Sequence, residues 1–345
     1  MSDAPGLHVL HVCCTDAFAG VERHVSELAA AQLAAGHRVT IVGGDPTRVQ
    51  AVAGPGVQVL PGRGVVGGVR SLRRLTCLPS IVNVHLTAAE IAVALSPSLR
   101  RVPVVSTRHI AVPRGSRRST RPIVGLARRR VDGQIAVSQF VADQIDGKST
   151  VVLSGVQADP GRVTATERLP IVLVAQRLER EKETDVALRA FAESGLVDLG
   201  WRVIVAGRGS LRPQLEALVR ALGIDTAVEF LGHRADLFDL MRTAGVLLAP
   251  DEDEAFGLSV VEAMARGLPV VAAGSGAHLE TVGSTPGAAL FAPGDSGDAA
   301  RLLRELALSA PARDEYGARL QAVQREHFTV EQQARRTDAA YQALL

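Results

Sequence analysis

Residues 250–269 read P-D-E-D-E-A-F-G-L-S-V-V-E-A-M-A-R-G-L-P. The short apolar run Gly245–Ala249 leads into them as a buried strand would, and Phe256-Gly257-Leu258 opens a helical pattern that runs to about Arg266. An acidic loop therefore joins a strand to a helix. The first amides of such a helix lack intrahelical partners and carry the positive end of its dipole, which suits a phosphate or a sugar hydroxyl. Glu254 lies in the loop and Glu262 one turn into the helix. At this spacing they can serve different parts of one ligand. Alone, they would equally suit an ordinary charge preference at a helix start.

Working outward, the same strand-to-helix unit recurs along the chain. His8–Cys13, Arg38–Val42, Gln58–Leu60, Ile81–His85, Val104–Thr107 and Gln134–Val137 read as buried strands in the first half. Ile171–Ala175, Arg202–Ala206, Ala227–Leu231, Gly245–Ala249 and Pro269–Ala272 do so in the second. They are short and rich in Val, Ile or Leu, as parallel strands covered on both faces should be. Amphipathic stretches separate them, such as the one with Val21, Val25, Leu28, Ala29 and Leu33 on one face and Gly36 as its cap. Alternation of this kind predicts doubly wound α/β sheets, and so many strands predict two of them. The turn-rich segment Ser154–Pro170 marks the junction. The expected division is 1–160, 161–325, and a C-terminal helix in 326–345 that packs back on the first domain. Ligands are expected in the cleft between the two domains, beyond the carboxyl ends of the strands.

Composition narrows the field. The chain has 345 residues, 47% hydrophobic and 21% charged, which excludes a disordered protein. Only 3% are aromatic, too few for stacking on single-stranded nucleic acid, so no nucleic-acid partner is expected. No run approaches the ~18 apolar residues of a membrane span, and the N-terminus lacks signal-peptide features. The three cysteines suit neither a disulfide framework nor a zinc site. A cytoplasmic protein is expected.

The net charge of +2 hides an asymmetry. Residues 1–160 hold 18 Lys+Arg against 10 Asp+Glu, a balance of +8, and the remainder balances at −6. Between Pro46 and Val131 stand fifteen arginines and one acid, Glu90; the run Arg114–Arg130 has seven arginines and no acid. Only two basic residues in the chain are lysines, so part of this is an Arg-rich genome, as in a high-GC bacterium. It also fits a half that approaches something anionic, an acceptor or a membrane surface.

Two further loops carry candidate chemistry. Arg177 and Lys182 follow the strand Ile171–Ala175 five positions apart, a planar fork and a mobile point charge that together suit a diphosphate. Gly207-Arg208-Gly209 follows the next strand as a G-x-G turn without the third glycine of a dinucleotide fingerprint. Gly20 opens the first helix just past the first strand.

In this order, these segments resemble the GT-B glycosyltransferases of family 4, which retain configuration at the anomeric carbon. The resemblance runs nearly end to end. It includes Gly20-Val-Glu-Arg-His, Ala35-Gly-His-Arg-Val, Ile135-Ala-Val-Ser138, Leu153-Ser-Gly155-Val, Arg177-x4-Lys182, Phe230-Leu-Gly232, Glu254-x7-Glu262 and Ala292-Pro-Gly-Asp295. It implies two Rossmann-like domains and a nucleoside diphosphate sugar donor, UDP-sugar in preference to GDP-mannose, with no metal and no other cofactor. Arg177 and Lys182 would hold the diphosphate and Glu262 the ribose. Glu254 and the backbone of Phe256, Gly257 and Leu258 would hold the sugar, with Phe230 and His233 beside the base. Gly20, Gly207 and Gly209 would let backbone approach the donor, and His109 would contact the sugar. The acceptor is expected to be anionic, lipid-linked or a natural product, with peripheral contact at the inner membrane face.

Some positions depart from the family pattern. Ala19 stands where a second glycine is usual, Asp251 and Ala255 replace Ser and Gly, and Leu279 replaces the proline before Glu280. Three rival readings remain at this level. Asp251-Glu-Asp253 is formally the D-x-D of a metal-dependent transferase, Gly207–Gly209 suggests a nicotinamide dehydrogenase, and a silent paralogue is the third.

Overall fold

The computed structural model describes residues 6–114, 121–161, 163–234 and 236–345. The chain divides into two compact units, one of residues 1–155 with 329–345 and one of residues 156–328. The break falls at Gly155, inside the turn-rich segment, and the C-terminal helix Val330–Gln342 belongs to the first unit.

In the first unit seven strands, β1 (His8–Val12), β2 (Arg38–Val42), β3 (Gln58–Leu60), β4 (Ile81–Val84), β5 (Val104–Arg108), β6 (Gly133–Ala136) and β7 (Thr150–Val151), form one parallel sheet in the order β3-β2-β1-β4-β5-β6-β7. The second unit has β8 (Ile171–Ala175), β9 (Arg202–Ala206), β10 (Val228–Gly232), β11 (Val246–Ala249), β12 (Val270–Ala273) and β13 (Ala289–Phe291), all parallel, in the order β10-β9-β8-β11-β12-β13. The winding reverses between β1 and β4 and again between β8 and β11. Those switch points are where loops diverge and leave room for ligand.

The sheets form because helices cover both faces. The helix Gly20–Ala34 lays Val25 and Ala29 against Val39 and Ile41. On the other face Leu72, Ala89 and Val93 pack on Leu10, Val82 and Val84. Each buried Val, Leu or Ile among them contributes about 1.5–3 kcal/mol of burial and each alanine less. Among the described residues no helix is long and apolar enough to cross a membrane.

The arginine-rich stretch is less open than its composition suggests. Arg114 is 4% exposed, and its Nε donates to both oxygens of Glu90 at 2.8 and 2.9 Å. The lone acid between Pro46 and Val131 is thus the buried partner of Arg114. Arg130 donates to the carbonyls of Leu99 and Val102, and Arg108 to Asp146. These arginines hold the first unit together, which corrects the reading of the whole run as a docking face. Arg117 and Arg118 lie outside the described residues. Arg114→Ala strands Glu90 without its cation and is expected to cost about 3–5 kcal/mol, read as a lower urea midpoint.

Candidate functional site

At the switch point of the second unit, β8 ends in Ala175 and β11 in Ala249. The loop after β8 is pinned by Gln176, whose Nε2 donates to the Lys182 carbonyl and to Thr184 Oγ1. That fixes Lys182 over the loop after β11. Its ammonium donates to Asp251 Oδ2 and, at 2.7 Å, to Glu254 Oε2. Asp251 is 3% exposed and Lys182 15%, so one cation is shared by two carboxylates in a mostly dry site.

The electrostatics follow from that sharing. Burial pushes the Asp251 carboxyl up to about 6 against the pull of Lys182. Burial would raise Glu254 too, but the charge and hydrogen bond of Lys182 bring it down to about 2. Lys182 is desolvated, yet its two partners hold its pKa above the usual lysine value. At neutral pH both carboxylates are ionised, and one ammonium balances two negative charges.

The helix Leu258–Ala265 begins beside this cluster. Its N-cap, Gly257, is left-handed at φ +83°, and no side chain caps it. Asp45, Ser138, Asp295, Ser309 and Thr329 cap their own helices, while the helices that start at Gly20, Gly64, Thr87, Thr184, Arg212 and Leu237 are, like this one, without a side-chain cap. Uncapped amides at a positive helix end, next to Lys182, form an anion cradle. Glu262 lies on this helix with its side chain buried. A second loop, after β12, closes on the cluster. The Ala277 amide donates to the Glu254 carbonyl at 2.9 Å, and a Cβ at Gly276 would come 2.9 Å from that oxygen.

The other expected residues are placed differently. Arg177 is 64% exposed and pairs with Glu181 at 2.8 Å, an exposed bond that costs little to exchange for a ligand. Phe256 buries its ring against Phe328, so only its backbone can meet a ligand. A Cβ at Gly207 would lie 1.7 Å from the Gln176 carbonyl oxygen, and one at Gly209 2.1 Å from that of Leu178. The close approach of the neighbouring loop is enough to require glycine at both positions. Phe230 lies on the edge strand β10 with the Arg212 guanidinium 5.8 Å from its ring, and His233 is exposed. Beside Gly20, Glu22 Oε2 accepts from the Ala19 amide at 2.9 Å, and no side chain caps the helix start.

His109 belongs to the first unit, in a cluster at that unit's own switch point. His11 lies in β1, His85 just past β4 and His109 just past β5, with His24 on the first helix. His11 Nδ1 is 2.9 Å from His85 Nε2, and His85 Nδ1 is 3.0 Å from His109 Nε2. The rings of His24 and His109 meet edge-on, 4.7 Å apart at 86°.

Family profiles match both units. That of Glycosyl transferases group 1 covers residues 157–322, and that of Glycosyltransferase Family 4 covers residues 18–153. The lipopolysaccharide core biosynthesis mannosyltransferase LpsB of Rhizobium meliloti is 30% identical over 246 residues, which are 63% of this chain and 67% of that protein. The chain belongs to the family 4 glycosyltransferases of GT-B fold. A D-inositol 3-phosphate glycosyltransferase of Corynebacterium kroppenstedtii is 36% identical over 178 residues, 45% of this chain and 40% of its own length. The solved structure of Anabaena Alr3699/HepE in complex with UDP and glucose matches with a TM-score of 0.80 at 20% identity, over 98% of this chain and 100% of the other. At that identity the likeness is one of fold.

Within this glycosyltransferase the dehydrogenase and the other transferase fold are set aside. Asp251, half of the formal D-x-D, is engaged by Lys182. Sequence reasoning missed His278, which is buried beside Glu254 with neither ring nitrogen in a well-formed hydrogen bond, and whose pKa burial lowers. Its signal was present in the altered segment Gly276–Glu280. The glycosyltransferase also keeps Asp251 where its family has serine, and the pairing with Lys182 is what that change does.

Proposed function

We propose that this glycosyltransferase moves a hexose from a nucleoside diphosphate sugar to a hydroxyl acceptor, with retention and without a metal. The observation that carries this reading is the buried Lys182, set between Asp251 and Glu254 beside an uncapped helix start. As the donor departs, negative charge grows on the leaving diphosphate. Lys182, with Arg177 swung in from Glu181, would meet that charge where it develops. Glu254 and the amides at Gly257 and Leu258 would hold the sugar, and Glu262 the ribose. The leaving phosphate would take the acceptor proton, so no paired carboxylate nucleophile is required.

UDP is favoured as the donor base. HepE was solved with UDP, whereas LpsB is a mannosyltransferase, which keeps GDP-mannose as the second reading. Incubation with each nucleotide sugar and NMR of the product decide between them. Release of one nucleoside diphosphate with an axial-for-axial anomer supports the reading, and an inverted anomer refutes retention. Glu262→Gln keeps the side chain's shape but only one acceptor oxygen. It is expected to raise the donor KM about tenfold with kcat little changed, as loss of uniform binding does; unchanged steady-state KM would remove Glu262 from the ribose.

For the acceptor, an anionic group is proposed to meet Arg117 and Arg118. The name of the D-inositol 3-phosphate relative fits such an acceptor. Arg117→Glu with Arg118→Glu is expected to raise the KM of a phosphorylated acceptor and to weaken binding to anionic liposomes, by about 1 kcal/mol per basic residue. Unchanged turnover and liposome binding would sink this part.

A further inference from the structure

Two backbone amides fix the protons of the buried histidines. The Leu7 N–H donates to His37 Nδ1 at 3.0 Å, so the His37 proton is on Nε2, which donates to Asp338 Oδ2 at 3.1 Å. Asp338 Oδ1 accepts from Gln32 Nε2 at 2.9 Å, which orients that amide and leaves Gln32 Oε1 as an acceptor only. His11 Nε2, 2.8 Å away, must therefore carry a proton, and His11 Nδ1 must be a lone pair. That lone pair requires the proton of His85 on Nε2, and the lone pair on His85 Nδ1 requires the proton of His109 on Nε2. From the other side, the Gly155 N–H donates to Gln333 Oε1 at 2.8 Å, so Gln333 Nε2 donates to His24 Nε2 at 3.0 Å. The proton of His24 is then on Nδ1, a buried N–H without a hydrogen-bond partner.

His11, His24, His85 and His109 are held neutral at pH 7. Burial lowers His11 and His109 to about 4 and holds His24 and His85 well below the usual histidine value. His109 alone of the four keeps surface, and its Nδ1 makes no hydrogen bond within the described residues.

We infer that Asp338 and Gln32, acting through His11 and His85, are positioning residues that fix the His109 tautomer, leaving His109 Nδ1 as an uncharged acceptor for a ligand hydroxyl. A neutral acceptor suits a ligand hydroxyl and not a phosphate or carboxylate, which has no proton to donate to it at neutral pH. The identity of that hydroxyl, on the sugar or the acceptor, rests on the glycosyl-transfer reading; the tautomers do not. A metal would suit the spacing of His24, His85 and His109, whose nearest ring nitrogens lie within 4.8 Å of one another. It would, however, need the His24 proton moved to Nε2, against the Gln333 amide.

The test is long-range nitrogen–proton NMR on the full chain with labelled histidine at neutral pH. His11, His85 and His109 are expected as Nε2–H tautomers and His24 as Nδ1–H. Gln32→Lys puts a donor where the acceptor was, with Asp338 as its counter-ion. It should reverse all three bonds and shift His11, His85 and His109 to Nδ1–H. With that variant kcat/KM falls about tenfold, the worth of one oriented hydrogen bond, while stabilisation by a nucleoside diphosphate is kept. Any of the three rings protonated on Nδ1 in the native protein overturns the inference, as does a Gln32→Lys protein with His109 unmoved. Stoichiometric uptake of added zinc that breaks the His85–His109 bond does so too. If Gln32→Lys does not fold, the native spectrum decides alone. If no nucleoside diphosphate stabilises the protein, the donor reading fails while the tautomers still stand or fall on the spectrum.

Discussion

Lys182→Ala is expected to lower kcat about 10²- to 10³-fold, the loss typical of removing one preorganised group that stabilises developing charge. The same change leaves Asp251 and Glu254 facing each other without a cation. Breaking a buried pair commonly costs about 3–5 kcal/mol; here the cost is reduced because Asp251, already raised to about 6, takes a proton readily. Stability and chemistry separate in the double variant Lys182→Ala with Asp251→Ser, which removes the stranded acid. Its urea midpoint should recover while kcat stays low. A double variant that regains both would make Lys182 a structural cation, and the proposed role in donor departure would fall. Asp251→Ser alone frees Lys182 from one partner and is expected to lower the donor KM.

Acid should weaken the first unit well before ordinary acid denaturation. His11 titrates near 4 in the fold and near 6.5 when unfolded. Between those values the unfolded chain binds a proton that the folded chain refuses, so stability is complete above about 6.5 and is lost as pH falls toward 4. That window is worth about 3 kcal/mol for fully buried His11 alone. His24 and His85 shift the same way, and His109, with some exposed surface, adds less. In the second unit buried His278, whose pKa burial also lowers, acts in the same direction, but Asp251 acts with the opposite sign and offsets it. A carboxyl raised to about 6 binds its proton more tightly in the fold, so its contribution grows as pH falls from about 6 toward its unfolded value. Hydrogen exchange at pH 7 and pH 5 should therefore show β1, β4 and β5 losing protection while β8 and β11 keep theirs. Equal behaviour of both sheets would contradict the cluster's burial.

Much of the fold was legible because each central strand is a short β-branched run that carries its own signal. The strands Arg38–Val42, Gln58–Leu60, Ile171–Ala175 and Arg202–Ala206 stand where the sequence places them. Thr150–Val151 and Ala289–Phe291, two and three residues on sheet edges, were missed; shortness alone does not account for this, since the three-residue edge strand Gln58–Leu60 was read. The donor loop was legible for a different reason, since Lys182 is one of only two lysines in the chain and Glu254 and Glu262 stand at a fixed spacing around a helix start. The pairing of Lys182 with Asp251 was not, because it joins residues 69 apart through two loops. The glycines at 207 and 209 are required by a neighbouring loop, and a close backbone approach reads the same in sequence whether a ligand or a loop fills it. Least legible was the histidine ladder. His24 meets Gln333 across 309 positions, and only the folded C-terminal helix brings them together.

The most direct test of the central claim is the melting temperature of the protein with UDP, GDP, dTDP, ADP and NAD, each with and without EDTA. A ligand that binds only the folded state must raise it by mass action. The account predicts a shift with one nucleoside diphosphate, UDP first, that EDTA leaves unchanged and that Lys182→Ala or Glu262→Ala abolishes. A shift with NAD alone, or one that disappears with EDTA, would contradict it.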